Sequence, residues 1–500
     1  MGDYSDIFRP GSRPGGEIPA GASVYFVGIK GTGVCALAEL MLKSGMKVRG
    51  SDINEEFYTD AILKELGVPY FEGFDSAHIG DDIDLVIHSA AYTAEDNPEL
   101  AAAMEKNIPL LKYPDALGEY SSLFDSAGIA GVHGKTTTTA MCGCLMRGLG
   151  LPARILVGSA VSNFNGRSTI ILGDKYFIAE TCEYREHFLS FRPKRIVLTS
   201  VESDQQDFFP TYEAIRDTFI EYCRLIPPGG ELIYCADDPG ASEVANIIKN
   251  DGKGIVTIPY GFTAAGRYKI CSYRVEDEKT LFAIDAFEEE FCLRIPGRHE
   301  VLDATAALVL ASVLVAKEFP DAGCGWNKQL RAAARKSLEE FTGSKRRSEI
   351  IGVAGGILFM DDYGHHPTAI KTTLKGLKDF YPSRRLVVSF MSHTYSRTAA
   401  LLDEFADALC AADVLILHKI YASARERFDG KITGKDLYDK VISLRGTAEG
   451  ALYADEIDDA FEPLKNILKP GDLFLTLGAG NNWPLGIRLF EYYRGHGVSL

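Results

Sequence analysis

Basic residues, paired cysteines and long apolar runs are all scarce in this chain of 500 residues. Lysine and arginine number 53 against 69 aspartate and glutamate, a formal charge of −16. A whole-surface nucleic-acid binder needs a basic face to neutralise phosphates, so no nucleic-acid partner is expected; a local basic pocket for a small anion remains open. The 10 cysteines are scattered, no CxxC occurs, and only Cys142 and Cys144 lie close together, within an expected helix. That usage fits a reducing cytosol better than a disulfide scaffold or a zinc site. Residues 1–20, MGDYSDIFRPGSRPGGEIPA, lack the apolar centre of a signal peptide and read as a flexible leader. The most apolar stretch, 301–316, contains Asp303 and is too short to span a bilayer, which predicts a core helix and no membrane insertion. A cytoplasmic location is expected.

The length predicts two to four domains, and 46% hydrophobic with 24% charged residues is ordinary globular composition. From Ala22, short β-branched runs alternate with helical stretches: SVYFVGI, a helix over about 32–44, KVRGSD, another helix, then DLVIHSA. That order implies a small parallel sheet covered by helices. A second sheet begins near Asp125 with SAGIAGVHG and continues through KYFIAE, RIVLTSV, GELIYCADD and GIVTIPYG. RYKICSYRV, KTLFAIDAF and EEFCLRIPG form a more antiparallel patch. After Phe341, GILFMDDYG, RRLVVSFMS, VLILHKIY and DLFLTLGAG alternate with helical stretches as a further open α/β sheet. In open sheets, ligands sit beyond the carboxyl ends of the strands.

The loops at those ends carry the chemistry. In VYFVGIKGTGV, Gly28, Gly31 and Gly33 are spaced GxxGxG at a strand-to-helix turn, and Asp52 follows about twenty residues later. Backbone N–H groups and a helix N-terminus could meet a pyrophosphate there, and the acid a ribose; a purely structural glycine turn is the other reading. GIAGVHGKTTTT falls short of a strict GxxxxGK[ST] loop because position 129 is Ile. Gly131, Gly134 and the intervening N–H groups of Val132 and His133 could still form a phosphate nest. Lys135 would supply a point charge and the Thr136 hydroxyl a Mg²⁺ ligand. Four threonines are poor helix formers, so a merely structural helix has little reason to begin with them. Glu180 closes a strand as a metal-ligand candidate, with Glu183 three residues on; Glu202, Asp204 and Asp207 follow another strand. DDYGHHP offers carboxylates with His365 and His366, whose side chains point apart, so one structural and one site histidine are expected. His393 and Arg397 in SHTYSRT, and Arg346 and Arg347 in KRRSE, gain weight only from neighbouring strand ends.

GIKGTGV, SAAYTAEDNPE, GIAGVHGKTTTT, ETCEYREHFLSF, IPGRHEVLDATAAL, FTGSKRR, DDYGHHPT, HTYSRT and IYASARE together, in this order over about 22–480, resemble the Mur ligases. Within that family the chain is most similar to the members that join L-alanine to UDP-N-acetylmuramate. The resemblance implies an α/β chain of three domains: a Rossmann-like UDP-substrate domain at 21–121, a central P-loop ATPase domain at 122–341, and a Rossmann-like C-terminal domain at 342–500 that closes over the site. It implies a ligase using ATP and Mg²⁺, an acyl phosphate attacked by the amino acid's amine, a role in peptidoglycan synthesis, and a monomer or homodimer. Carried over by motif, Gly131–Thr137 with Lys135 among them, Glu300, Asp303, Arg346, Arg347 and Asp362 bind ATP. Gly28, Gly31, Gly33, Asp52, Ser89, Asn165 and Arg167 take the UDP-substrate. Tyr363, His365, His393 and Arg397 surround the amino acid, and Lys135, His365 and Arg397 carry the chemistry. Thr136 and Glu180 hold the metal, with Gln205 as the weaker third candidate.

The chain departs from the family's pattern at ligand positions. Gln205 in SVESDQ stands where the family has a metal-binding histidine, and Glu300 and Asp303 replace two asparagines near the adenine. An ionised carboxylate only accepts hydrogen bonds, whereas asparagine also donates. MSH and LGAGNN are further departures. The other readings are a paralogue that joins a different acid and amine, and a weakly active nucleotide-sugar-binding regulator.

Overall fold

The computed structural model describes residues 21–205, 208–320, 326–422, 430 and 432–496. The leader, Asp207 and residues 423–426 of the IYASARE stretch lie outside the described residues. The chain divides into two compact units, one reaching to Val201 with Arg216–Lys269 and Ala304–Ser337, the other comprising Glu202–Ile215, Ile270–Asp303 and Leu338–Leu500.

The first unit contains two sheets. The leading one is a five-stranded parallel sheet in the order Tyr70–Glu72, Lys47–Asp52, Ser23–Val27, Leu85–His88, Leu110–Lys112. Val24, Tyr25, Phe26 and Val27 are fully buried, as expected of a central parallel strand covered on both faces. Strand order reverses between Ser23–Val27 and Leu85–His88, so the glycine turn and Ser89 leave the sheet at the switch point where such folds bind ligands. Two three-residue strands, Tyr70–Glu72 and Leu110–Lys112, were too short to read from periodicity.

The second sheet has seven strands, ordered Val256–Tyr260, Glu231–Cys235, Arg195–Leu198, Asp125–Ala130, Tyr176–Glu180, Ala153–Val161, Arg167–Ile171. All neighbours are parallel except the last pair. Asp125–Ala130 is central, so the loop after it is flanked by the carboxyl ends of Tyr176–Glu180 and Arg195–Leu198. Buried Glu39 joins the two sheets' layers: Thr169 Oγ1 donates to its Oε2 at 2.5 Å, and Arg167 pairs with its other oxygen.

The second unit holds the three-stranded antiparallel sheet Ile270–Glu276, Lys279–Ile284 and Phe291–Leu293. Its main sheet has six strands, ordered Glu349–Ala354, Ile357–Asp362, Asp472–Leu477, Arg385–Phe390, Val414–Leu417, Ala451–Tyr453. Only the Glu349–Ala354 edge is antiparallel; its GVAGG hairpin was not recognised in the sequence.

The apolar helix runs Arg298–Glu318, 21 residues, so the argument that it is too short for a bilayer does not hold. Its apolar window is 72% buried inside the protein, which is the property of a core helix.

Candidate active site

The loop after Asp125–Ala130 turns through Gly131 at φ 139° and Gly134 at φ 80°, conformations that suit glycine. A Cβ at Gly131 would collide with Thr199 Oγ1. The Val132 N–H donates to Ser200 O at 3.1 Å and the His133 N–H to Ser200 Oγ at 2.8 Å. These two N–H groups therefore tie the loop to the adjacent strand end, a correction to the expected nest. The donors left for an anion are those of Gly134 to Thr137, at the start of helix Lys135–Leu149, which have no intrahelical acceptor.

Lys135 donates to the Gly131 carbonyl and to Glu183 Oε2, the latter at 2.9 Å. Burial pushes the ammonium's pKa down, but Glu183, with Cys182 and Glu180 behind it, more than offsets this and holds it above its ordinary value. Glu183, read in the sequence only as a neighbour of Glu180, is thus the counterion of the loop lysine. Thr136 Oγ1 donates to Glu180 Oε1 at 3.0 Å, and the Gly158 N–H to Glu180 Oε2 at 2.7 Å. Gly158 lies in Ala153–Val161, a strand absent from the sequence reading, and nothing in the sequence pairs it with Glu180.

At the glycine turn, the room left by glycine is filled by tyrosines. A Cβ on Gly28 would lie 2.9 Å from Ser89 Cβ and from the Tyr92 ring, and one on Gly33 2.7 Å from Tyr113 Oη. Gly31 is more open, with nothing nearer than 3.5 Å. Asp52 accepts the Lys30 N–H at 2.6 Å and the Ile53 N–H at 2.8 Å. Its buried carboxylate braces the turn; burial raises its pKa despite those bonds. The Ser89 N–H donates to Val27 O at 2.9 Å. Asn165 is exposed at φ 58°, and Arg167 pairs with Glu39 and, at 2.7 Å, with Glu65. Asn165 and Arg167 line a cavity of about 380 Å³ with Glu39, Lys43, Arg147 and Asn163.

In the second unit, the strand ends of Ile357–Asp362 and Arg385–Phe390 bring Tyr363, His365, His393 and Arg397 together. Arg346 and Arg347 lie 4.9 and 5.0 Å from the Tyr363 ring. Arg346 is also anchored to Asp361 at 2.9 Å and to Gly478 O at 2.7 Å, whereas Arg347 has no ion pair among the described residues. Asp362 accepts the N–H groups of Ser348 at 2.7 Å and Gly364 at 2.8 Å, so its carboxylate organises the turn. His366 is the structural histidine: its Nδ1 caps helix Pro367–Phe380 by accepting the Thr368 N–H at 3.3 Å. His365 Nδ1 lies 3.0 Å from Tyr363 O, which requires the proton on Nδ1 and leaves Nε2 as an acceptor. Burial, then the Arg397 charge, hold its pKa well below the usual histidine value, so the ring is neutral.

Arg397 Nε and Nη2 donate to Asp204 Oδ1 at 3.0 and 2.7 Å, and Nη1 lies 3.4 Å from His393 Nδ1. His393 stacks on Tyr421 with ring centroids 5.9 Å apart. The next residue, β-branched Thr394, sits at φ 68°, a strained conformation beside the cluster. Gln205 has φ 54° and gives its N–H to Asp204 Oδ1 at 2.8 Å. Glu202 accepts the Thr368 hydroxyl at 3.1 Å. His299 Nε2 lies 3.3 Å from Glu300 Oε1, and burial is outweighed by Glu300, Asp303 and Asp362, which raise the imidazole's pKa. Glu300 Oε2 is buried without a hydrogen-bond partner, and Asp303 is buried as well.

Three family models match the chain in sequence: "Mur ligase family, catalytic domain" over residues 23–125, "Mur ligase middle domain" over 129–311 and "Mur ligase, glutamate ligase domain" over 346–480. The UDP-N-acetylmuramate–L-alanine ligase of Treponema pallidum (strain Nichols) is 50% identical over 475 residues, 95% of this chain and 97% of that one. Its counterpart in Borreliella burgdorferi is 37% identical, covering 93% of this chain and 97% of the relative. Among solved structures, the UDP-N-acetylmuramate-alanine ligase of Thermotoga maritima superposes with a TM-score of 0.73 at 25% identity, over 95% of this chain and 99% of that one. With a glycine-turned loop running into a helix in one unit and a histidine–arginine cluster in the other, and with these matches along nearly its whole length, the chain belongs to the Mur ligase family.

Proposed function

We propose that this protein is an ATP-dependent ligase that joins L-alanine to UDP-N-acetylmuramate in the synthesis of peptidoglycan precursors. The observation that carries this reading is the phosphate loop with Lys135 beside Glu183 and Thr136 beside Glu180, in a chain 50% identical to a ligase of that name over 95% of its length. The domains assigned are 21–121 for the UDP-substrate, 122–341 for ATP and 342–500 for the C-terminal domain. The protein works in the cytoplasm as a monomer or homodimer, without nucleic acid or membrane insertion.

The γ-phosphoryl group passes from ATP to the substrate carboxylate, ADP leaves, and an acyl phosphate forms. The amine of L-alanine then attacks the acyl carbon; the C–N bond forms, the C–O bond to phosphate breaks, and the amine's proton is lost. The first-turn N–H groups of Gly134 to Thr137 and the Lys135 ammonium hold charge on the transferring phosphoryl group. Glu183 keeps that ammonium cationic in a buried place. Thr136 and Glu180 offer the hard oxygen donors that suit Mg²⁺, and Gly158 leaves room for the carboxylate. When bound, the ion would neutralise charge on the ATP phosphates. Between the two arginines, Arg347 is the better candidate for the ATP phosphates, because Arg346 is already anchored. Glu300 and Asp303 are assigned to the nucleotide, and Gly28, Gly31, Gly33, Ser89, Asn165 and Arg167 to the UDP-substrate, with Asp52 bracing the turn. Tyr363, His365, His393 and Arg397 receive the amino acid.

The test is phosphate release by the purified protein with ATP, Mg²⁺ and UDP-N-acetylmuramate, with and without L-alanine, using Lys135→Ala as the blank. L-alanine-dependent release, with the mass of the alanyl product, is expected. Release that ignores L-alanine, or none while UDP-N-acetylmuramate still binds by calorimetry, would refute the reading.

A further inference from the structure

Asp204 has two oxygens, and the structure uses them unequally. Oδ1 accepts from Arg397 Nε at 3.0 Å, from Arg397 Nη2 at 2.7 Å and from the Gln205 N–H at 2.8 Å. Oδ2 has no hydrogen-bond partner among the described residues, although Asp204 is only 4% exposed. Arg397 next to it is 7% exposed. Guanidinium has five N–H donors arranged as a side edge, Nε with Nη2, and an end, Nη1 with Nη2. Asp204 occupies the side edge and one Nη1 N–H points at His393 Nδ1, 3.4 Å away, so the second N–H groups of Nη1 and Nη2, at the end of Arg397, are what remains to face a ligand carboxylate.

The pair therefore presents a cationic fork and an anionic oxygen side by side. An α-amino acid carries a carboxylate and an ammonium separated by one carbon, the complementary arrangement of charge. His365, kept neutral by burial and by Arg397, adds no charge to the pair. The Arg397–Asp204 contact also keeps the arginine from leaving a buried cation unpaired when the ligand is absent.

We propose that Asp204 binds the ammonium group of the incoming amino acid through Oδ2 while its Oδ1 holds Arg397 for the carboxylate, which makes the two residues a zwitterion receptor. This rests on the assignment of the Arg397 cluster to the amino acid. It distinguishes Asp204 from a residue that merely orients Arg397: an orienting role affects any carboxylate ligand, whereas an ammonium site affects only ligands that carry the amine.

The experiment compares L-alanine as substrate with propanoate, the same acid without the ammonium, as an inhibitor competing with it. In Asp204→Asn the KM for L-alanine should rise about 10- to 100-fold, the range of one charge-assisted hydrogen bond, while propanoate binds unchanged or more tightly. KM values for ATP and UDP-N-acetylmuramate should hold, which also shows that the variant folds. Should it fail to fold, Asp204→Ser, which keeps a hydroxyl for Arg397, carries the same comparison. Equal weakening of L-alanine and propanoate would overturn the ammonium role, as would an unchanged KM for L-alanine. Arg397→Met separates the proposal from its basis: it should weaken both ligands, and if it weakens neither, the amino-acid site itself is misassigned.

Discussion

The placement of Glu180 depends on an absent side chain. Gly158 lies within strand Ala153–Val161 at an ordinary strand conformation, so alanine is compatible with its backbone. A Cβ there, however, would stand 2.6 Å from Glu180 Oε2, 2.7 Å from Cδ and 2.8 Å from Oε1. Ordinary contact begins near 3.4 Å, so the carboxylate must retreat by about 0.8 Å, the difference between 3.4 and 2.6. That retreat moves it off the Gly158 N–H at 2.7 Å and away from Thr136 Oγ1 at 3.0 Å. A misplacement near 1 Å at reacting groups is worth up to about 100-fold in rate. Gly158→Ala should therefore lower kcat/KM for Mg·ATP by about 10- to 100-fold, while the alanine's better strand propensity leaves the unfolding midpoint unchanged or slightly raised. The assay is steady-state phosphate release against Mg·ATP, with thermal unfolding in parallel. A kcat/KM within about twofold of the parent would refute the assignment of Glu180 to the phosphate and metal site, since the geometry forbids the carboxylate from staying where it is.

Glu183→Gln removes the nearest anion from Lys135, so burial prevails and the ammonium pKa falls; the alkaline limb of the kcat/KM profile for ATP should move to lower pH, and an unmoved limb would deny the pairing. His418, buried between Ser389 Oγ at 2.8 Å and Ala454 O at 2.9 Å, has its pKa lowered by burial from 6.5 to about 4. The unfolded chain takes up that proton first, so this stability is complete above pH 6.5 and is lost as the pH falls toward 4, by about 2 kcal/mol at pH 5. Denaturant melts of the parent and His418→Gln at both pH values check it: the difference between the proteins should narrow in acid. Glu99, fully buried, accepts Tyr25 Oη at 2.9 Å, Ser51 Oγ at 2.5 Å and His78 Nδ1 at 2.7 Å. Glu99→Ala strands these donors and should cost about 3 kcal/mol or more in urea unfolding, without changing the KM for L-alanine.

What the sequence determined by itself was whatever depends on neighbours along the chain. Alternating apolar runs and helical stretches gave the open α/β sheets, because hydrophobic periodicity is a local record of which face is buried. Gly131, Gly134, Lys135 and Thr136 were legible as a glycine turn between a strand and a helix N-terminus because those three parts are contiguous. The two histidines could be told apart because adjacent side chains point apart: His366 caps its helix while His365 lies by Arg397. Which residues meet across strands far apart in sequence was set by tertiary packing. Glu180 is cradled by Gly158, Lys135 is neutralised by Glu183, and the Val132 and His133 N–H groups are taken by Ser200. Arg397 is turned by Asp204, 193 residues away. Sheet order sets these meetings, and sheet order follows from the packing of whole layers, which leaves no trace in the spacing of any single motif.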